Sequence, residues 1–374
     1  MRKSFVFTLL GTVFFAGNGF AFETSAKHAL LMEAQTGYIM FEKDADVPMP
    51  PASMSKLMTI YIVFEALKEG RVSLDDEFVV SEKAWRRGGA SSGGSTMFLE
   101  PGAKVKVSDL IRGIAIQSGN DACITVAENL AGTEGAFVSL MNEKAKELGL
   151  ENSKFTNSTG LPSPNHRMSA KDLAKLARAL INEFPEYYGI FSEKEFTYNG
   201  IKQGNRNPLL YSVVGADGLK TGHTSEAGYG LTGSVKTSDG RHLILVVNGL
   251  NSERERSVEA RNLANYGGAG FVRTKIASRD AVVDTVPVWL GSVDSVDALV
   301  ERDFYVTQAR GKKLPTVKLV YDTPVKAPIK KGAVIGTLEI NEGEKITKID
   351  VVASRNVQKA GYFKRVKQII SSWF

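Results

Sequence analysis

The stretch Pro50-Pro51-Ala52-Ser53-Met54-Ser55-Lys56-Leu57-Met58-Thr59-Ile60-Tyr61-Ile62-Val63-Phe64 reads as the start of a buried helix. Prolines forbid a helix before them and permit one just after. A helix is therefore predicted from Ser53 to Leu67, with Gly70 as its stop signal. Its residues are apolar almost all round, the pattern of a central helix. Ser53 and Lys56 lie one turn apart on it and project together. The serine sits near the positive end of the helix dipole, which favours a developing alkoxide. A serine hydroxyl is a poor nucleophile without a base. A lysine at its ordinary pKa of about 10.4 is charged and cannot be that base. Burial beside Leu57 and Met58, or a second nearby cation, lowers it toward neutrality. A lone S-x-x-K arises by chance about once in a chain of this length, but here the only one opens the most buried-looking helix.

Working outward, His28 to Glu33 and Tyr38 to Glu42 flank Ala34-Gln35-Thr36-Gly37, a hairpin signal. Residues 108 to 180 read mainly as helices. Ser108-Asp109-Leu110 opens one, Gly149 closes another, and Ser169-Ala170-Lys171-Asp172 reads as a capping box. Strand signals return at Gly228 to Val235 and His242 to Asn248. The simplest arrangement is an α/β (α+β) domain, an antiparallel sheet flanked by helices, over residues 22–271. Short Val-rich runs separated by Gly, Pro and Asp predict a small all-β, sandwich-like domain over 272–358. Residues 359–374 have helical apolar spacing, a basic polar face and a Trp373-Phe374 end, which fits a helix lying on an anionic membrane surface.

Residues 1–21 read as a secretory signal: Arg2 and Lys3, then an apolar run from Phe5 to Phe15, then Gly19-Phe20-Ala21 as a small-x-small cleavage site. The expected location is the outer face of the cytoplasmic membrane, peripheral and exported. The single Cys123 permits no internal disulfide and reads as a buried small hydrophobe. A net charge of +6 with no long basic run before the tail argues against nucleic-acid binding. The four histidines show no metal-ligand spacing. Gly89-Ala90-Ser91-Ser92-Gly93 matches G-x-S-x-G formally, but it lacks the strand that a nucleophile elbow needs.

Two further motifs bear on the chemistry. Ser118-Gly119-Asn120 lies between two helical segments, and Lys220-Thr221-Gly222 precedes a strand-like run. Lys220 supplies a fixed charge, and Gly222 permits a substrate backbone to come close. In this order the three motifs resemble those of penicillin-recognising serine enzymes. The fuller contexts, Pro51 to Thr59 and Asp217-Gly218-Leu219-Lys220-Thr221-Gly222, resemble low-molecular-mass penicillin-binding proteins of the D-alanyl-D-alanine carboxypeptidase type, peptidase family S11. The resemblance spans nearly the whole mature chain and implies a β-lactamase/transpeptidase-like catalytic domain. It implies removal of the terminal D-alanine from peptidoglycan stem peptides through a Ser53 acyl-enzyme, with β-lactams as covalent inhibitors and with no cofactor or metal.

By the same resemblance, Lys56 takes the Ser53 proton, Ser118 relays a proton to the leaving amine, and Lys220 holds the electrostatics. Asn120 binds the substrate amide. The backbone N–H groups of Ser53 and His223 form an oxyanion hole, with Thr221 and Gly222 on the same wall. The substrate carboxylate meets an arginine in Ser252-Glu253-Arg254-Glu255-Arg256, where Arg256 is the better match. The Gly/Ser-rich stretch 86–95 is expected to be mobile beside the site. No E-x-x-L-N motif stands between Asn120 and Lys220, which disfavours fast β-lactam hydrolysis. The alternative is a non-catalytic envelope scaffold or β-lactam sensor with slow turnover.

Overall fold

The computed structural model describes residues 2–7, 22–341 and 346–371. The chain forms two compact units, one of Phe20–Phe271 and one containing Val272–Phe374.

The first unit is built on a five-stranded antiparallel sheet. Its strands are β1 (His28–Glu33), β2 (Ile39–Lys43), β3 (Ala216–Thr224), β4 (Gly228–Lys236) and β5 (His242–Leu250), in the spatial order β2-β1-β5-β4-β3. The expected hairpin is β1–β2. Strand β5 is buried along nearly its whole length because helices cover both its faces. The K-T-G motif precedes β4, as expected, and itself lies inside β3, an edge strand whose second side pairs with no strand among the described residues.

The expected central helix is split. A short 3₁₀ turn, Ala52–Ser55, carries Ser53, and α1 (Lys56–Lys68) follows, buried at every position except Glu65 and Lys68. It ends at Glu69 with Gly70 in the left-handed region. Around it stand α2 (Glu82–Gly88), α3 (Val107–Ala115), α4 (Asn120–Ala131), α5 (Glu134–Glu147) and α6 (Ala170–Glu183). Ser169 caps α6 by accepting from the Asp172 N–H. The second half of a capping box is absent, because the Asp172 carboxylate accepts from the Asn152 N–H and the Ser153 hydroxyl instead. A long helix, α7 (Glu253–Gly270), is capped by Ser252 and packs on β5 and β4. A short antiparallel strand pair, Glu77–Val79 with Lys104–Lys106, and a hairpin, Glu195–Tyr198 with Ile201–Gly204, have no counterpart in the sequence reading.

The second unit is all-β apart from its end. Its sheet runs Thr316–Asp322, Val334–Asn341, Ile346–Ala353, Ser295–Leu299, Val282–Trp289, closing on the short Val325–Lys326 strand. Phe271–Ala277 and Phe304–Ala309 form a separate pair. Val296, Leu319, Ile340 and Val351 centre the core. Arg2–Phe7, from the expected leader, pairs antiparallel with Thr316–Asp322. The remainder of the leader, including Gly19-Phe20-Ala21, lies outside the described residues, as do Trp373 and Phe374. Helix α8 (Tyr362–Ser371) ends the described chain with Tyr362, Phe363 and Ile370 exposed. Among the described residues no helix is long and apolar enough to cross a membrane.

Candidate active site

Ser53 enters the site through a tight backbone. Ala52, directly before it, has φ +47°, a conformation that non-glycine residues rarely adopt and that clusters at functional turns. Two glycines clamp this turn. A Cβ on Gly160 would come within 2.1 Å of the Ala52 carbonyl oxygen. A Cβ on Gly222 would come within 2.8 Å of the Pro51 carbonyl oxygen and 3.1 Å of the Ala52 Cβ. Gly222 is therefore a glycine because β3 presses on the turn that carries Ser53. The expectation that it clears space for substrate is corrected: its missing side chain faces protein.

Lys56 is 0% exposed. Its Nζ lies 2.9 Å from Ser53 Oγ, 2.8 Å from Asn120 Oδ1 and 2.6 Å from the Thr159 carbonyl oxygen. Asn120 Oδ1 and the Thr159 carbonyl can only accept, so two N–H bonds of a neutral amine are committed to them. The remaining lone pair then faces the one neighbour able to donate, the Ser53 hydroxyl. Burial lowers the Lys56 pKa to about 8, and the charge of Arg206 acts in the same direction. The Thr159 carbonyl is aimed by an Asx-type turn, in which Asn157 Oδ1 accepts from the Thr159 and Gly160 N–H groups.

Ser118 is buried in the α3–α4 connection with φ +62°. Asn120 opens α4. Its Oδ1 is turned to Lys56, and its Nδ2 faces Gly94, where a Cβ would come within 2.7 Å. The N–H of Asn120 donates to the Ser95 carbonyl at 2.8 Å. A Cβ on Gly88 would meet the Asp121 nitrogen at 2.2 Å. Close packing against the start of α4 thus accounts for Gly88 and Gly94, and the first part of the stretch expected to be mobile is the end of α2. Asp121, which the sequence reading passed over, fixes this corner. Its buried carboxylate accepts from Thr96 Oγ1 and from the N–H groups of Met97, Leu99 and Ala122.

Lys220 is buried on β3, with its Nζ bonded to the Thr221 carbonyl at 3.2 Å. Burial, and then the charges of Lys56, Arg206 and Arg256, hold its pKa well below the ordinary range. His223 stacks on Tyr229 at 3.9 Å, and the Arg256 guanidinium stands 5.8 Å from the same ring. Arg254 is exposed while Arg256 is 5% exposed, which separates the two sequence candidates. The Arg256 Nε has no hydrogen-bond partner within the described protein. Arg206 was missed. It donates to Ser95 Oγ at 2.6 Å and lowers both lysines. Lys56 and Lys220 have no carboxylate within ion-pair distance among the described residues, so the cleft is a positive site built for an anionic ligand. Cys123 is buried with its thiol pushed up to about 12 by burial, which removes it as a nucleophile.

Residues 17–252 match the family model for D-alanyl-D-alanine carboxypeptidases, and residues 271–359 match that for the penicillin-binding protein 5 C-terminal domain. The chain is 39% identical to the D-alanyl-D-alanine carboxypeptidase DacC of Escherichia coli, covering 100% of this chain and 96% of that one. It is 38% identical to DacA of Haemophilus influenzae, covering 92% and 88%. Among solved structures, penicillin-binding protein 5 from Haemophilus influenzae superposes with a TM-score of 0.83 at 36% identity, covering 91% of this chain and 99% of that one. Penicillin-binding protein D2 from Listeria monocytogenes, solved in its ampicillin-bound form, superposes at 0.56 with 30% identity over 66% and 98%. With three motifs folded into one cleft and relatives matching from end to end, the chain belongs to the D-alanyl-D-alanine carboxypeptidase family of serine peptidases and is an enzyme of that activity.

Proposed function

We propose that Ser53 is the nucleophile and Lys56 the base with which this chain removes the terminal D-alanine of a peptidoglycan stem peptide. The observation that carries this is the 2.9 Å contact from Lys56 Nζ to Ser53 Oγ, made by an amine whose pKa burial brings down to about 8. Ser53 Oγ attacks the carbonyl carbon of the penultimate D-alanine while its proton passes to Lys56. The backbone N–H groups of Ser53 and His223 receive the oxyanion. As the C–N bond breaks, Ser118 delivers a proton to the departing amine and free D-alanine leaves. Water then attacks the Ser53 ester, gives its proton to Lys56, and restores the serine. Asn120 Nδ2 holds the substrate amide carbonyl. Lys220, Thr221 and Arg256 face the terminal carboxylate, for which a guanidinium donates two parallel bonds.

β-Lactams, which carry a carboxylate beside a strained amide, acylate Ser53 by the same first step. The sensor or scaffold reading is not favoured, because the family and its relatives are carboxypeptidases. Helix α8 attaches the exported enzyme peripherally to the cytoplasmic membrane. This rests on Phe363, 88% exposed, with Tyr362 and Ile370 beside Lys364, Arg365 and Lys367. The test of the central assignment is D-alanine release from an acyl-D-Ala-D-Ala peptide together with intact mass after benzylpenicillin. Wild type releases D-alanine and gains one penicilloyl adduct, whereas Ser53→Ala does neither. An adduct that persists in the variant overturns the assignment.

A further inference from the structure

The strand that carries Lys220 is held at one point from both sides. Near its start, the Asp217 carboxylate accepts from Ser234 Oγ on β4 at 2.6 Å and from His242 Nε2 on β5 at 3.0 Å. Gly218 follows, where a Cβ would come within 3.0 Å of both Ser234 Oγ and the Tyr188 hydroxyl. The Gly218 carbonyl accepts from Asn207 Nδ2 at 2.7 Å. Lys220 lies two residues farther along β3, so this carbonyl is a fixed reference point for the lysine.

Asn207 belongs to Asn205-Arg206-Asn207, which follows the hairpin strand Ile201–Gly204. Both asparagines are buried, and Arg206 between them is exposed. Each asparagine makes an Asx turn. Asn205 Oδ1 accepts from the Asn207 N–H, and Asn207 Oδ1 from the Leu209 N–H, both at 3.0 Å. Each also donates from its amide to a distant carbonyl: Asn205 Nδ2 to Glu193 at 3.0 Å, and Asn207 Nδ2 to Gly218. Asparagine does both because its short side chain carries a donor and an acceptor. With its neighbours turned inward, Arg206 projects outward and donates to Ser95 Oγ at 2.6 Å. The Ser95 carbonyl accepts from the Asn120 N–H. Arg206 therefore joins two walls of the cleft. Asn207 ties it to the Lys220 strand, and Ser95 ties it to the Asn120 corner.

We infer that Asn207, supported by Asn205, is a positioning residue for acylation: it fixes Arg206 against the strand of Lys220, and through that guanidinium sets the pH at which Ser53 becomes reactive. This rests on Lys56 being the base, as proposed above. A guanidinium stays charged throughout the working pH range. Its effect on Lys56 and Lys220 is then decided by where it stands, and the buried asparagines on either side decide that. The other titratable groups facing the two lysines are Asp121 and Cys123 on α4, Arg256 on α7 and, toward Lys56, His166, while Glu253 faces Arg206. The substitutions below alter none of them.

Benzylpenicillin acylation at subsaturating drug, followed from pH 6 to 9.5, tests it on wild type, Asn207→Ser, Arg206→Gln and the double variant. Serine keeps the turn to the Leu209 N–H but is too short to reach the Gly218 carbonyl. The rate constant does not depend on the active fraction of a preparation. Asn207→Ser and Arg206→Gln each move the acid limb up by roughly half a pH unit, the scale of one charge at a partly solvated site. At pH 7 that is a loss of about threefold. The double variant moves no farther than Arg206→Gln alone. A purely structural Asn207 would lower Tm and leave the limb in place. A limb unmoved in Asn207→Ser, or one that moves as far again when Asn207→Ser is added to Arg206→Gln, overturns the inference and leaves Lys56 as the base. Should Asn207→Ser not fold, Asn205→Ser, which loses the bond to Glu193, is read by the same two outcomes. A wild-type profile with no limb overturns the reading of Lys56 itself.

Discussion

Lys56 and Lys220 face one cleft from two different elements, the first turn of a helix and an edge strand; burial lowers the proton affinity of both, and the charge of Lys56 lowers that of Lys220 further. The acylation rate is therefore expected to follow the neutral fraction of Lys56. Benzylpenicillin acylation under kcat/KM conditions should rise with pH through an apparent pKa of about 8 and then level. Lys56→Arg, which cannot deprotonate near neutrality, should remove that limb and slow acylation by about 10³-fold or more. A profile flat from pH 6 to 9 in the wild type would count against Lys56 as the base.

The same lysine ties stability to pH. Its folded pKa is below its unfolded one, so between about 8 and its ordinary value the unfolded chain binds more protons. Stability contributed by this group is expected to increase as pH rises through that window. Below it, the buried charge is a constant cost. Chemical denaturation of wild type and Lys56→Met at pH 7 and pH 9.5 checks the sign: the stability of wild type relative to the variant should increase at the higher pH.

Gly222→Ala should act on the nucleophile's turn without touching its side chain. The new methyl meets the Pro51 carbonyl, which belongs to the backbone and cannot rotate away. Overpacking of this kind costs about 1–3 kcal/mol. The expected result is a lowered Tm and a fall in acylation rate larger than the fall in substrate affinity, measured by stopped-flow with penicillin.

Asp121→Asn should loosen the corner that carries Asn120. An amide has one acceptor oxygen where the carboxylate has two, and its NH₂ would face backbone N–H donors. The expected cost is about 3 kcal/mol in denaturant unfolding. Proteolysis within 88–99 should become faster than elsewhere, because Met97 and Leu99 lose their anchor.

Arg256→Ala should lower kcat/KM for D-Ala-D-Ala peptides by about 30-fold, the scale of a charge-assisted bidentate contact. A peptide amidated at its C-terminus should be cleaved poorly by wild type and no worse by the variant. Parallel losses on both peptides would place Arg256 outside carboxylate recognition.

Much of this site was legible in the sequence because its chemistry resides in side chains with fixed spacing. Ser53 with Lys56, and Ser118 with Asn120, are local pairs, and Lys220 lies in a hexapeptide context that carries its own signature. The hairpin and the later strands followed from alternation and turn residues. What escaped was set by contacts across the chain. The carbonyl of Thr159 has no residue signature, since every residue carries one. Arg206 and Asp121 look like ordinary polar positions until Ser95 and Met97 are brought to them. Gly222 was assigned the wrong neighbour, because a glycine announces a close approach but not what approaches. The second half of the expected capping box failed at Asp172 because two donors from residues 152 and 153 compete for its carboxylate.

The cluster of Lys56, Lys220, Arg206 and Arg256 also acts beyond contact distance. A cleft holding several cations and little compensating acid projects a field that a negatively charged peptide end meets before docking. Capture should therefore be faster in dilute buffer than in strong salt, by a larger factor for penicillins and free-carboxylate peptides than for neutral esters. The cations that lower the proton affinity of the buried lysines are the same groups whose field reaches out to an anionic ligand.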